Sequence, residues 1–301
     1  MQNSVKTIYK NEVLHKQDLN LKKDRKMSIK YIFLDIDGTL VGYDSKIPDS
    51  ALKALNMAQK NGHKVFIASG RSLPIIYPAL LKAVNFDGIV ASGGACIFYN
   101  GEAIYRSVIA DDALNAIVDY FKREGIHFIA HTSEAVYGEQ DFFDVVIPGM
   151  IKSGCSKELV EKSFSGVKLA DDIRNIKNIE KLSYYLSPYP PNKISADNDD
   201  RFYVVDFNIG NVDADFSFGE MNMAGVNKGT AIERFMEHIG APISDSVAFG
   251  DSGNDLEMMN CAGIAVAMGN ATNAIKEAAD YVTSDVDKDG IYNAFVHLGL
   301  I

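Results

Sequence analysis

The sequence predicts an α/β protein: a parallel-sheet core interrupted by an inserted α+β domain. Three observations carry that prediction. A length of 301 residues exceeds the usual ~100–200 of one domain. From Lys30 to about residue 106, short β-branched runs alternate with helical periods, the signature of strands covered by helices. That texture breaks off, gives way to strand-like stretches separated by Pro-rich and acidic runs, and returns at Lys228.

In chain order, Tyr31 to Asp35 reads as the first strand. Asp49-Ser50 offers an N-cap, Ala51, Leu52, Leu55 and Ala58 share one helical face, and Gly62 follows as a C′ residue. Lys64 to Ala68 is a second strand, Ser72-Leu73-Pro74 opens a helix, and Gly88 to Ala91 is a third strand. In the insert, a helix from Asp111 to Glu124 precedes strands at Ile126–His131, Leu182–Leu186 and Phe202–Ile209, with the Pro188-Tyr189-Pro190-Pro191 turn and the acidic Asp197–Asp200 run between the last two. Helix 228–239, strand Ser246–Phe249, helix 255–260, strand Gly263–Ala267, helix 271–279 and strand Tyr281–Thr283 complete the core. The expected division is a leader over 1–29, a core of 30–106 and 222–301, and an insert of 107–221. The insert joins the core near Tyr105-Arg106 and Gly219–Gly225, with Gly219 and Gly225 as hinge positions.

Apolar residues are 47% and charged residues 23%, which excludes a disordered, collagenous or coiled-coil chain. Thirty Lys+Arg against forty Asp+Glu give −10, a field that repels phosphodiester backbones, so no nucleic-acid partner is expected. Residues 1–30 run against this trend at net +5, and with Met27 just before the first strand they read as a leader or an upstream start. Cys96, Cys155 and Cys261 form no C-x-x-C pair, and neither a membrane span nor a signal peptide is visible. The expectation is a cytoplasmic protein with no membrane partner.

Chemistry gathers at three strand ends. Asp35-Ile36-Asp37-Gly38-Thr39-Leu40 puts two carboxylates on one side of an extended chain, where an open parallel sheet binds ligands. At ~4 Å and an effective dielectric near 20 their repulsion is ~4 kcal/mol, so the pair calls for a cation or a shared proton. Ser69-Gly70-Arg71 offers a hydroxyl and a glycine backbone to phosphate oxygens. Gly250-Asp251-Ser252-Gly253-Asn254-Asp255 adds carboxylates to the same edge, which suits a hard oxygen cage for Mg²⁺, and Lys228 can reach that edge as a point charge.

This ordered set, with Lys228-Gly229, resembles the haloacid dehalogenase-like phosphatases, and most of all the Cof-type sugar-phosphate phosphatases with a large α/β cap between the second and third motifs. The resemblance covers residues 30 to 301 and implies a Rossmann-like core. It implies that Asp35 is the nucleophile that becomes an aspartyl-phosphate, and that Asp37 is general acid and then base. It makes Lys228 the residue that neutralises the phosphoryl oxygens and orients Asp35. Phosphate would be bound by Ser69, Gly70, Arg71, Lys228 and Asn254; Arg71 has a second reading as a support for the loop. Mg²⁺ would be held by Asp35, the Asp37 backbone carbonyl and Asp251, with Asn254 or Asp255 in or near its shell. The implied activity is Mg²⁺-dependent hydrolysis of small phosphorylated metabolites, sugar phosphates first. Two rivals share the residues: a phosphohexose mutase or phosphotransferase, and a non-catalytic phosphosugar-binding regulator. The sequence leaves the oligomeric state open.

Other patterns have plainer readings. Asp285-x-Asp287-x-Asp289-Gly290 imitates half a calcium loop, but position twelve is Val296 and a strand precedes it. His127 and His131, after Glu124, read as sheet-face histidines rather than a metal pair. Tyr184-Tyr185 and Phe202-Tyr203 suit strands of the insert.

Overall fold

The computed structural model describes residues 28–42, 46–206 and 217–301. The basic leader, but for its last two residues, lies outside the described residues. The chain runs β1 (Tyr31–Leu34), α1 (Asp49–Lys60), β2 (Lys64–Ala68), α2 (Pro78–Ala83), β3 (Gly88–Ala91), β4 (Cys96–Tyr99) and β5 (Glu102–Arg106). It continues through α3 (Asp111–Glu124), β6 (His127–His131), β7 (Val136–Gly138), α4 (Ile147–Lys152), α5 (Lys157–Phe164), β8 (Val167–Leu169), β9 (Lys181–Ser187), α6 (Pro191–Ala196), β10 (Phe202–Asp206) and β11 (Ser217–Met223). The last stretch is α7 (Lys228–His238), β12 (Ser246–Gly250), α8 (Leu256–Cys261), β13 (Ile264–Ala267), α9 (Asn273–Ala278), β14 (Tyr281–Val282) and α10 (Gly290–His297).

The core sheet has the order β14-β13-β12-β1-β2-β3-β4-β5 and is parallel from β14 to β3. Ile32, Phe33 and Leu34 are fully buried, as a central strand covered on both faces must be. Phe33 stacks on Phe66 at 4.9 Å, and Phe66 meets Phe235 of α7 at 4.6 Å, pinning that helix to the sheet. Because β1, β2 and β12 are parallel neighbours, the residues that follow them, Asp35, Ser69 and Asp251, emerge on one edge.

The second sheet, β10-β11-β9-β6-β7-β8, is antiparallel except for β7 with β8. Its two faces have opposite fates, and β9 shows why. Leu182 and Tyr184 pack with Ile117 and Phe121 of α3 into a separate hydrophobic cluster. The alternate residues Lys181, Ser183 and Tyr185 therefore turn the other way, toward the core.

Several details depart from expectation. Pro48, not Asp49, is the N-cap of α1, and no side chain caps it; Asp49 stands in the first turn, where its charge suits the dipole. Ser72-Leu73-Pro74 yields only a single 3₁₀ turn over Leu73–Ile75, and the helix waits until Pro78. Pro78 holds Tyr77 out of helical geometry and then serves as the first helical residue. Gly219 is no hinge: it sits inside β11, paired with Asp206 and Tyr184, with no room for a side chain against the Val205 carbonyl. Gly225, at φ +76 in the turn after β11, has open space around it. The expected strand Phe202–Ile209 is seen to Asp206, and its remainder lies outside the described residues. The pair β4 and β5 escaped the sequence reading, although Asn100-Gly101, both at positive φ, is a strong hairpin signal.

Candidate active site

Asp35 is the first residue past β1, and its backbone N–H still donates to the Phe249 carbonyl of β12 at 3.1 Å, which fixes the side chain at the sheet edge. The buried Lys228, first residue of α7, donates 2.6 Å hydrogen bonds to both Asp35 Oδ1 and Asp255 Oδ1, and a 3.3 Å one to Asn254 Oδ1. Its placement follows from the preceding residue: Asn227 caps the helix by accepting from the Thr230 amide at 2.8 Å while Thr230 Oγ1 accepts from the Asn227 amide. Asp255 is oriented by the Asp251 and Ser252 amides, which donate to its other oxygen at 2.9 and 3.1 Å. Thr39 Oγ1 donates to Asp251 Oδ1 at 2.8 Å. Gly38, at φ +86, has to be glycine on a second count: a Cβ there would stand 2.4 Å from Asp251 Oδ2.

Carboxylate oxygens of Asp35, Asp251 and Asp255 lie within 4.8 Å of one another. One ammonium faces three carboxyl groups, more charge than it can balance if all three ionise. Burial, only partly offset by Lys228 and reinforced by Asp255 and Asp251, holds Asp35 well above the usual carboxylate range. Burial and then Asp255 push Asp251 up to about 7. Burial alone would lower the Lys228 pKa, but Asp255 and Asp35 raise it, so the ammonium stays charged.

Ser69 is buried and its Oγ accepts from the Arg71 amide at 3.1 Å, a tight turn that aims the loop at Asp35. Arg71 grips the carboxylate of Asp37 with Nε to Oδ2 at 2.6 Å and Nη2 to Oδ1 at 2.9 Å. The same Nη2 donates to Tyr77 Oη at 2.6 Å, and Tyr77 donates to Asp37 Oδ1 at 2.9 Å. Asp37 is thus held by a guanidinium and a phenol, with its side chain half exposed.

A cavity of about 310 Å³ lies between this floor and the second sheet. From β9 and β11, Lys181 and Glu220 form a buried ion pair, and Lys181 Nζ also donates to the Gly70 carbonyl. His131 of β6 bridges Ser72 Oγ at 3.0 Å and Ser183 Oγ at 2.9 Å; burial, then Lys181, keep its pKa well below the ordinary value, so the imidazole is neutral. The rest of the roof is Ile129, Val136, Phe164, Val167 and Tyr185.

All the residues singled out from the sequence therefore stand at one edge: Asp35, Lys228, Asp251, Asn254 and Asp255 together, Ser69, Gly70 and Arg71 beside them, and Asp37 held a little apart on Arg71. Arg71 lines the cavity, and its guanidinium is held on Asp37 and the Ile75 carbonyl. Thr39, Tyr77, Lys181 and Glu220 went unread. Thr39 sits within the first motif, but nothing local marks the other three, which are brought in only by tertiary structure. His127, on Asp141 at 2.8 Å, and His131 are four strand residues or about 13 Å apart and share no ligand. Among the described residues no acidic metal cluster forms at Asp285–Asp289, where Lys288 pairs with Asp285 at 2.6 Å and Asp289 is the left-handed N-cap of α10.

The sequence model of the haloacid dehalogenase-like hydrolases matches residues 32–295. The candidate phosphatase YkrA of Bacillus subtilis (strain 168) is 30% identical over 278 residues, covering 91% of this chain and all of YkrA. The 5-amino-6-(5-phospho-D-ribitylamino)uracil phosphatase YcsE of the same organism is 28% identical over 273 residues, covering 90% of this chain and 96% of its own. Among solved structures, the subclass IIB sugar phosphatase BT4131 superposes with a TM-score of 0.74 at 28% identity, covering 90% of this chain and 100% of that one.

Proposed function

The chain belongs to the haloacid dehalogenase-like hydrolases, and from that premise, for a phosphatase of small phosphorylated metabolites, we propose a Mg²⁺-dependent route through phosphorylation of Asp35. The observation that carries the reading is the buried Asp35–Lys228 pair at the floor of the cavity, flanked by the Ser69-Gly70-Arg71 loop. The donor set fits a hard cation: three crowded carboxylates, one of them shifted to about 7, carry charge that Lys228 cannot balance. Asp35, Asp251 and the Asp37 carbonyl would hold Mg²⁺, with Asp255 and Asn254 orienting the site. When bound, the metal supplies charge neutralisation that lets a carboxylate approach a phosphate dianion.

An Asp35 oxygen attacks phosphorus as the bond to the leaving alcohol breaks, and Lys228 with the Ser69 hydroxyl and loop amides takes the charge on the phosphoryl oxygens. Asp37 gives its proton to the departing alkoxide, then takes one from the water that attacks phosphorus. That second attack breaks the acyl-phosphate bond, restores the Asp35 carboxylate and releases inorganic phosphate. Arg71 and Tyr77 engage both oxygens of Asp37, so proton transfer to the leaving group requires that contact to loosen. Ribitylaminouracil phosphate and sugar phosphates, the substrates named for YcsE and BT4131, head the classes to test.

The test is a panel of phosphate esters with Mg²⁺, scored by released phosphate and by mass spectrometry of the peptide bearing Asp35. A phosphate-sized mass on that peptide, absent in Asp35→Asn, supports the route. Transfer of the phosphoryl group to sugar with no free phosphate would indicate the mutase instead.

A further inference from the structure

Hydrogen bonds fix the loop after β2 at nearly every backbone group. The Ser69 amide donates to the Val90 carbonyl at 2.9 Å, and the Ser69 carbonyl accepts from the Gly93 amide at 3.0 Å. The Arg71 carbonyl accepts from the Ser92 amide at 2.9 Å, and the Arg71 amide donates to Ser69 Oγ at 3.1 Å. All of these partners belong to the core. The Gly70 carbonyl is the exception, since Lys181 Nζ reaches it from β9, 111 positions further along the chain. Among the described residues, two donors of this buried stretch find no protein partner, the Gly70 amide and the Ser69 hydroxyl proton, and both residues line the cavity. Buried donors are seldom left so, which marks these two for a ligand.

The Gly70 carbonyl and the Arg71 amide are the two ends of one rigid peptide plane. Lys181 grips one end and Ser69 Oγ the other. Glycine lets such a plane turn at little cost, and a turn would draw the Arg71 amide off Ser69 Oγ, leaving the hydroxyl free to point its proton elsewhere. We propose that Lys181 is a positioning residue of the phosphoryl site: it locks the Gly70–Arg71 plane against Ser69 Oγ, so that the hydroxyl offers its proton, rather than a lone pair, to the phosphoryl oxygens. Glu220 keeps the ammonium on the carbonyl. The inference rests on the phosphatase reading above and deepens it, because the second sheet then acts on the phosphoryl group itself, whatever alcohol leaves. Seating the sheet does not by itself call for a buried ammonium, since well-packed apolar residues of similar volume often replace such a pair without loss of stability.

The double variant Lys181→Met, Glu220→Gln tests this in the full-length protein, and it leaves neither charge buried without its partner. Without ligand, exchange of the Arg71 amide is expected to quicken about tenfold or more, while that of the Ser69 amide, bonded to Val90, stays as it was. With Mg²⁺, orthovanadate should bind about tenfold more weakly, and kcat/KM should fall by one common factor for methyl phosphate and glucose 6-phosphate. Should the double variant fail to fold, Glu220→Gln alone should move all three readouts in the same direction by at least about threefold. Unchanged Arg71 exchange overturns the proposal, and weaker orthovanadate binding alongside it would make Lys181 a direct phosphate ligand. Equal quickening at Ser69 and Arg71, the mark of a merely loosened sheet, also overturns it, as does a loss confined to glucose 6-phosphate. A wild-type protein that neither binds orthovanadate nor hydrolyses any ester would instead refute the phosphatase reading, and the proposal with it.

Discussion

Asp35, Asp251 and Asp255 place more negative charge around one point than Lys228 balances, and that imbalance is measurable without any substrate. Asp251 is raised to about 7, and Asp35 is raised too, against ~3.9 for an unfolded Asp. A carboxyl whose folded pKa is raised contributes stability fully below about pH 4 and loses it as pH climbs through the folded value. The metal-free protein should therefore lose stability between about pH 4 and 7, and Mg²⁺ should restore it where the carboxylates are ionised. Unfolding temperatures with and without Mg²⁺ should show a clearly larger gain at pH 8 than at pH 5; equal gains would mean the cation binds elsewhere. Asp37 makes the next prediction, since in the proposed route its proton serves both halves of the reaction: Asp37→Asn should lower kcat by roughly 10²–10⁴-fold. A smaller loss in steady-state assays would hand the proton to another group. Of these residues, the carboxylates and Lys228 were legible because each sits in a short fixed motif at a strand end. Tyr77, Lys181 and Glu220 were not, since what makes them matter is a contact across 39 to 111 positions of sequence separation.

Turns and caps, rather than strands, decide whether those side chains meet. Gly94, at φ +101, backs directly onto Asn227, where a Cβ would stand 2.1 Å from the carbonyl oxygen. Asn227 is the cap of α7 and the residue before Lys228, so a push at Gly94 reaches the ammonium. Gly94→Ala should cost about 1–3 kcal/mol in urea unfolding and lower kcat as well. Gly125→Ala, also at positive φ (+68) but with nothing within 4 Å, should cost less and leave kcat alone, so equal effects would remove the clash as the cause. The same scale shows where periodicity misled. Ser72-Leu73-Pro74 has the composition of a helix start, yet Tyr77-Pro78 forbids the continuation, and the resulting extended loop is what lets Arg71 and Tyr77 converge on Asp37. The parallel core strands were read almost to the residue because continuous apolar runs mark buried parallel strands. The strands β7 and β8 and helix α4 are too short to display a period and went unread, as did α5.

At the scale of the molecule, the second sheet rests on the loop after β2 through Lys181 to Gly70 and His131 to Ser72, the same loop that presents Ser69 and Arg71 to the cavity. Occupying the floor should therefore be felt in the roof. With Mg²⁺ and orthovanadate, amide exchange should slow together over residues 70–76 and 181–183; protection of the loop alone would show that the two parts respond separately. The topology also sets a schedule for synthesis. Between the start of β1 and its partner β12, paired as Ile32 with Val247, the ribosome must add about 200 residues, including the whole second sheet. At about 5–20 residues per second, one edge of β1 stays uncovered for about 10–40 s, with Ile32, Phe33 and Leu34 side by side. Asp35 is among the first residues of the fold to leave the exit tunnel, and Asp251 and Asp255, which cluster with it, follow more than 200 residues later. The nascent chain thus carries an open apolar strand through most of its translation, a natural target for chaperones that bind unpaired sheet edges.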